Sequence, residues 1–155
     1  MEEVRLEEKL VAATRDVFHT MVQLEVQPET AVQRTPHLGC AISGVLGLAG
    51  DLCGLLSIHC PETLALAATG NLLGIEIERV DDDVRDAIGE IANMIAGGVK
   101  SALAGDDMSL ELSIPTTVTG CGYRVHSFSG ARQLLIPFTT CCGRFWVELK
   151  YKIDS

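Results

Sequence analysis

The sequence predicts an α+β fold, in which helices cover one face of a largely antiparallel sheet. The N-terminal and central parts of the chain repeat apolar residues at helical spacing, whereas the C-terminal third alternates apolar and polar residues. The strand-like segments also lie close together in sequence, and strands joined by short connections pair antiparallel. Helices that are segregated from such strands pack on one face of the sheet.

Length and charge limit the possible classes of protein. The 155 residues are 47% hydrophobic, which predicts one domain over 1–155, with an N-terminal helix in 1–25 packed on it. The net charge of -9 disfavours nucleic acid as a partner. No apolar run reaches the ~20 residues of a membrane span, and the acidic start "MEEVRLEEKL" is unlike a signal peptide. We therefore expect a cytoplasmic protein without a membrane partner.

Six cysteines need an explanation: Cys40, Cys53, Cys60, Cys121, Cys141 and Cys142. None forms a C-x-x-C pair and none has a histidine at zinc-finger spacing. We expect free thiols, most of them buried as small apolar side chains. The adjacent Cys141 and Cys142 leave a redox pair or a metal contact open, with Cys60 or His59 as further ligands.

The first element is an amphipathic helix over residues 2–22. Its apolar residues recur at intervals of three and four, at Leu6, Leu10, Ala13, Val17 and Met21. Pro28 and Pro36 then bracket an extended or loop stretch.

Residues 39–59 predict a β-hairpin, because Gly50-Asp51 divides two apolar pieces of strand length. The glycines in this stretch resemble a phosphate loop, but no G-K-[ST] follows and no helix opens after them. Strand glycines that permit close packing are the better interpretation.

Two further helices follow the hairpin. Pro61 suits the first position of the second helix, which runs through about Leu73 and stops at Gly74. Three aspartates, 81–83, precede the third helix, where one caps it and the others complement its positive end. Lys100 lies near the far end of this helix, and Gly105 follows.

The remaining chain predicts four strands: "SLELSI" (109–114), "GYRVHSF" (122–128), "ARQLLIPF" (131–138) and "RFWVELKY" (144–151). In the first of these, Leu110, Leu112 and Ile114 fall on one side. In the last, Phe145 and every second residue after it face away from Trp146, Glu148 and Lys150. "TTCCG" between the last two strands predicts a turn.

The third helix carries the most informative polar residues. At ~100° per residue its apolar side chains form one broad arc, and Asp86, Glu90, Asn93, Gly97 and Lys100 fall opposite them. Glu90 and Asn93 are neighbours at i and i+3. Solvation of an ordinary wet face is one explanation of such a pair.

Three features favour a function for this face instead. Asn93 is a mediocre helix former, and Gly89 and Gly97 each cost about 1 kcal/mol in a helix interior. A sequence that needed only a stable helix would be better served by alanine or lysine. A flat surface beside two polar groups indicates close approach of another macromolecule.

Four segments together resemble the CheX family of chemotaxis phosphatases, which is grouped with CheC and FliY. They are "GVLGLAGDLCGLLSI", "ALAATGNLLG", "VRDAIGEIANMIAGGVK" and "IPTTVTGCGY", in this order and spacing. The similarity covers the chain from about Gly39 onward, and the first helix matches only in kind.

The resemblance implies hydrolysis of the aspartyl phosphate on a CheY-like response regulator. The family's catalytic E-x-x-N pair falls on Glu90 and Asn93. Asn93 would hold the attacking water, the task that P-loop GTPases give to a glutamine, and Glu90 would anchor the partner by pairing with a lysine. General base is the alternative role for Glu90, although an exposed carboxylate accepts protons poorly at neutral pH.

The remaining expectations concern the partner and the oligomer. Asp86, Gly97 and Lys100 would contact the receiver, which would supply the Mg²⁺, so that this chain binds no cofactor or metal itself. CheC-type relatives carry the motif on two helices, but here Asn71 has Ala68 three residues before it, and we expect Asn71 to cap or pack near Gly74. CheX-like proteins form homodimers through their sheets, and the C-terminal strands are candidates for that edge.

Two other functions remain open from the sequence. Besides the phosphatase, the first is a non-catalytic module of the same fold that binds a receiver domain or another signalling protein. A metal or redox protein that uses the cysteines is the third possibility.

Overall fold

A computed structural model describes residues 2–36, 39–121 and 130–153, with side chains from Arg5 onward. The helices are α1 (Glu2–Val17), a π-helix (Phe18–Val22), α2 (Glu62–Leu73) and α3 (Asp82–Ala104). The strands are β1 (Gln27–Pro28), β2 (Cys40–Gly50), β3 (Leu52–Pro61), β4 (Leu110–Leu112), β5 (Thr116–Cys121), β6 (Arg132–Thr140) and β7 (Gly143–Ile153). Within the described ranges, no helix is long and apolar enough to cross a membrane.

The strands form one sheet in the order β1-β6-β7-β3-β2-β4. Strand β5 pairs with the same edge of β2 as β4, but along residues 40–45 rather than 48–50. All the strand pairings described are antiparallel. The predicted α+β class and the antiparallel sheet are therefore confirmed. The predicted strand over 122–128 lies outside the described residues, and β5 was not predicted.

The helices cover one face of this sheet. Ile42 and Leu46 of β2, Ile58 of β3, and Val147 and Leu149 of β7 all contribute buried side chains to the core. Alternation places their neighbours on the opposite face. In the middle of β7 both faces are buried, since Trp146 and Glu148 are only 3% and 6% exposed. The predicted polar side of this strand is therefore not a solvated side.

The hairpin and the helix ends follow the local sequence closely. Gly50 joins β2 to β3 with a φ of +118°, and Gly74 ends α2 in the left-handed region, where its N–H donates to the Gly70 carbonyl. Pro61 is the residue before the first turn of α2 rather than within it. These features confirm the predicted second helix to within one residue and the predicted hairpin to within two, since β3 ends at Pro61 rather than at His59.

The first helix continues past Val17 as a π-helix because of the side chains it must bury. The wider turn directs both Phe18 and Val22 into the core, where they are 1% and 0% exposed. The Phe18 ring stacks on Phe145 at 4.6 Å between centroids, and Phe145 stacks on Phe138 at 5.2 Å. Spacing alone predicted one uninterrupted helix over 2–22.

The edges of the sheet differ from expectation. Strand β7 pairs with β3 on one side and β6 on the other, so it lies in the sheet interior. Strand β6 is flanked by β1 and by a bridge from Val32 to Leu135. The C-terminal strands are candidates for a dimer edge from the sequence, but β7 does not supply that edge, because both of its sides pair within the sheet.

The expectation of free, mostly buried thiols is also wrong. Cys40 and Cys121 form a disulfide between directly opposed residues of β2 and β5. Of the four free cysteines described, Cys60 is buried, whereas Cys53, Cys141 and Cys142 are exposed. The two partners are 81 residues apart in sequence, and only the strand register brings them together.

Candidate functional site

The helix that carries the candidate residues begins at a well-formed cap. The Asp81 carboxylate accepts a hydrogen bond from the Val84 N–H at 3.1 Å, and Asp82 and Asp83 lie in the first turn. The cap gives an unpaired backbone N–H group an acceptor, and the two carboxylates complement the positive end of the helix dipole. The aspartate cap predicted from the sequence is confirmed, with Asp81 as the capping residue.

Two glycine contacts fix α3 in place. A Cβ added to Gly44 of β2 would lie 2.9 Å from the Ile88 carbonyl oxygen, so the bare glycine lets the helix rest directly on the sheet. A Cβ on Gly98 would lie 2.9 Å from the Cβ of Ala13, where α1 crosses α3. Because α3 is held by the sheet and by another helix, it is a rigid base for side chains on its remaining face.

The five predicted residues form one stripe along that remaining face, here called the α3 stripe: Asp86, Glu90, Asn93, Gly97 and Lys100. They follow one another at intervals of four, three, four and three residues. The stripe is about 21 Å long at 1.5 Å per residue. Asp86, Glu90 and Lys100 are exposed, while Asn93 and Gly97 are half-buried.

The polar groups of Glu90 and Asn93 are available to a partner. Neither side chain has a hydrogen bond or ion pair with any residue in the described part of the chain. The carboxylate can accept hydrogen bonds from a cation, and the carboxamide can donate and accept at once. The geometry therefore offers a charge and a bifunctional polar group, one turn apart, to whatever docks on the stripe.

The two glycines that flank this pair have different surroundings. A Cβ on Gly97 would find no atom within 4 Å, so this position opens to solvent as predicted. A Cβ on Gly89 would lie 3.4 Å from Thr117 Cγ2 and 3.8 Å from Pro115 Cβ. The prediction that Gly89 belongs to a bare docking surface is wrong, because this glycine packs against the chain's own edge strand.

That edge strand is an element of the site that the sequence interpretation missed. Leu112 pairs with Leu48 and Thr116 with Val45, so four steps along the β4–β5 strand match three along β2. One extra residue in an antiparallel pair is a β-bulge. Pro115 was a usable signal, since a proline inside a strand marks an edge or a bulge.

The bulge also overturns a predicted side-chain alternation. Leu110 is 3% exposed, but Ile114, expected on the same side, is 88% exposed. The Ser113 N–H donates to the Gly47 carbonyl at 3.0 Å, and the Ser113 hydroxyl oxygen accepts from the Gly47 N–H at 2.7 Å. A serine side chain thus replaces a backbone acceptor there, and the residue after it is turned out.

The cysteines do not assemble a metal site within the described residues, where no three His, Cys, Asp or Glu side chains converge. Burial raises the pKa of Cys60 to about 12, so its thiol stays protonated. The sulfur atoms of Cys141 and Cys142 lie 3.7 Å apart at the exposed β6–β7 turn. The proposed ligand group of these residues with Cys60 or His59 is therefore not brought together.

A buried polar chain lies on the sheet face opposite the helices. Ser43 Oγ and His59 Nδ1 are 2.6 Å apart, His59 Nε2 lies 3.1 Å from Glu148 Oε1, and the Gln133 amide donates to Glu148 Oε2 at 2.6 Å. Burial raises the pKa of Glu148, but the hydrogen bonds from His59 and Gln133 hold it below its ordinary value. Ser43 is 0% exposed, so this chain of residues has a structural role rather than that of a hydrolytic triad.

Comparison with known families adds information about the whole chain. A family model described as "Chemotaxis phosphatase CheX" matches residues 42–139. This range includes β2 from Ile42 onward and the whole of β3, α2, α3 and the bulged edge strand. The match therefore contains the α3 stripe and the surface around it.

Individual relatives extend the likeness. The CheY-P phosphatase CheX of Thermotoga maritima is 28% identical over 120 residues, which are 73% of this chain and 76% of that protein. The crystal structure of the chemotaxis protein CheX from Vibrio vulnificus is 28% identical, with a TM-score of 0.84 over 95% of this chain and 96% of that one. The CheX of a CheX–CheY–BeF3–Mg²⁺ complex from Borrelia burgdorferi has the same fold, with 21% identity and a TM-score of 0.82 over 94% and 96%.

Proposed function

This chain belongs to the CheX family of chemotaxis phosphatases, and we propose that it hydrolyses the aspartyl phosphate of a phosphorylated CheY-like response regulator. The observation that carries the proposal is the pair formed by the exposed Glu90 and the half-buried Asn93. Neither side chain has a polar partner among the described residues, and both lie on a helix that packs against the sheet. The relative from Thermotoga maritima is a CheY-P phosphatase, which supports the same reaction here.

Asn93 positions the attacking water in this proposal. Phosphoryl transfer depends mainly on orientation and charge stabilisation, so the catalyst need not form a covalent bond. The carboxamide oxygen accepts a hydrogen bond from the water, and its NH₂ group donates to a phosphoryl oxygen. The half-buried position of Asn93 supports this role, because it limits the rotamers that the side chain samples.

The reaction itself requires only water and the phosphorylated partner. The oxygen of the water attacks phosphorus, and the bond from phosphorus to the aspartyl oxygen breaks. The aspartate leaves as a carboxylate with the bonding electrons, and the proton of the water passes to phosphate or solvent. The Mg²⁺ that neutralises the phosphoryl oxygens is supplied by the partner in this proposal.

Glu90 anchors the partner, and its neighbours extend the contact. An exposed carboxylate one turn before Asn93 can pair with a lysine beside the partner's phosphate. Gly97 lets the partner's backbone approach α3 closely, because nothing occupies the space above it. Asp86 and Lys100 at the two ends of the stripe mainly affect the association rate.

The test is phosphate release from a panel of phosphorylated CheY-like receivers, with and without this protein. Asn93→Ala should slow the accelerated release about 10²–10³-fold at saturating receiver, which is the usual cost of one positioning group. If Asn93→Ala releases phosphate as fast as the parent, Asn93 does not orient the water. Binding of a receiver without faster release would identify a non-catalytic module instead.

A second variant separates the two roles proposed for Glu90. Glu90→Ala should raise the receiver concentration at half-maximal rate and leave the saturated rate nearly unchanged. Glu8→Ala removes an exposed carboxylate from α1, outside the stripe, and serves as the matched control. A loss confined to the saturated rate would contradict the anchor role and favour general base.

A further inference from the structure

We propose that Ile114, which the bulge between β4 and β5 turns outward, is an apolar contact for the receiver that docks on the α3 stripe. This inference rests on the function proposed above and deepens it by adding a second element to the docking surface. The partner it fits is a receiver domain with an apolar patch beside its phosphorylated aspartate.

The Ile114 side chain is far more exposed than the other large apolar side chains described, and the bulge is the structural cause. Ile114 is 88% exposed, whereas the other exposed large apolar side chains in the described residues range from 39% to 53%. An exposed isoleucine alone is ordinary. Here a bulge has re-aimed it, and bulges are frequent at sheet edges and next to active sites.

Ile114 also lies close to the Glu90–Asn93 pair. Pro115 packs against the Gly89 position of α3, and Ile114 and Glu90 are the chain neighbours of these two residues. The Cα atoms of Ile114 and Glu90 are therefore less than about 15 Å apart. A standard protein interface covers about 800 Å² on each partner, so one docked receiver centred near Glu90 is large enough to reach Ile114 as well.

The structure around Ile114 suits a receiver better than a second copy of this chain. A bulge and a proline on an edge strand interrupt the ladder of free backbone groups, which disfavours strand-to-strand pairing at this point. The adjoining α3 stripe offers the Asn93 carboxamide to a phosphoryl group and the Glu90 carboxylate to a lysine beside that group. Ile114 would then add apolar burial to a contact that is otherwise polar.

The test is the dissociation constant of the full-length protein for a CheY-like receiver activated with beryllofluoride and Mg²⁺, measured by titration calorimetry. Ile114→Ser should weaken binding about tenfold and leave the saturated rate of phosphate release unchanged. Ile114→Leu should restore affinity to within about twofold. Val32→Ser changes an exposed apolar residue, 39% exposed, near the opposite edge of the sheet and should have no effect.

The outcomes are distinguishable. Unchanged affinity of Ile114→Ser, while Asn93→Ala still abolishes accelerated release, would overturn this inference alone. A parent protein that neither binds nor dephosphorylates any receiver would overturn the proposed function together with it. If Ile114→Ser changes only self-association in sedimentation, a second copy contacts the residue and the inference is wrong.

Discussion

Helices α2 and α3 pack on the same sheet, yet only α3 presents a complete polar pair. In α3, Glu90 is exposed and Asn93 half-buried, three residues apart. In α2, Asn71 is exposed, but Ala68, three residues before it, is 1% exposed and faces the core. The rotation of each helix about its own axis therefore decides whether an E-x-x-N spacing can reach solvent.

The two helices also differ in length and in the place of the asparagine. Helix α3 has 23 residues and carries Asn93 near its middle, whereas α2 has 12 residues and carries Asn71 in its last turn. Ends of helices fray more readily than middles. The Asn93 side chain is therefore held in one orientation more firmly than that of Asn71, because the middle of α3 packs directly on the sheet.

Completing the E-x-x-N motif in α2 should change the stability of the protein more than the other substitutions below, and it should destabilise the fold. Ala68→Glu places a carboxylate at a buried position without a partner, so we expect the protein to lose about 3–5 kcal/mol of stability. Urea denaturation monitored by circular dichroism measures this loss. Asn71→Glu puts the same group one turn away on the exposed side and should stay within ~0.5 kcal/mol of the parent.

The contrary outcome is an Ala68→Glu protein that folds with parental stability and adds phosphate release in an Asn93→Ala background. In that event α2 could present its own pair, and the rotation of the helix would not be the deciding property.

Alanine substitutions at two adjacent glycines of α3 should change the stability by an intermediate amount and in opposite directions. Gly97→Ala should raise stability by about 0.5–1 kcal/mol, because the added Cβ finds open space and alanine is the better helix former. Gly98→Ala should lower it by about 1–3 kcal/mol, because the same Cβ meets Ala13 of α1. Thermal and urea unfolding of both variants measures the difference.

The same two variants also distinguish the face of α3 proposed to dock the receiver, at Gly97, from the face that packs on α1, at Gly98. A stabilised Gly97→Ala protein that nevertheless binds the receiver more weakly would support close approach of the partner at this position. Receiver binding equal to that of the parent would contradict the proposed role of Gly97 while leaving that of Asn93 intact.

The smallest expected effect is at Asn71. Its side chain makes no hydrogen bond within the described ranges, and α2 is capped by the backbone N–H of Gly74 instead. The expectation that Asn71 caps or packs near Gly74 is thus not supported. Asn71→Ala should leave phosphate release within about twofold of the parent and stability within ~0.5 kcal/mol, so a large loss of activity would show a second functional asparagine.

Local rules predicted much of the fold. The Gly50 hairpin, the Gly74 helix stop and the Asp81 cap depend on the conformational freedom or hydrogen bonding of a few adjacent residues. The α3 stripe likewise follows from helical periodicity alone. Such features can be predicted from the sequence because the residues that cause them are neighbours in the chain.

Non-local contacts account for the errors. The Cys40–Cys121 disulfide depends on the register of β5 against β2, and the π-turn of α1 depends on the stacking of Phe18 on Phe145. Gly89 was assigned to an open surface although β5, a strand not predicted, covers it. Each error concerns a position whose surroundings come from a distant segment.

By itself, the sequence determined the class of the fold, the ends of its central helices and the one face of α3 on which Glu90 and Asn93 stand together. The packing of distant segments decides the remaining features: Ala68 of α2 is buried, Gly97 opens to solvent while Gly89 does not, and Ile114 is exposed. The physical reason is that periodicity and capping act within a few residues, whereas burial, strand register and the bulge depend on which segments meet.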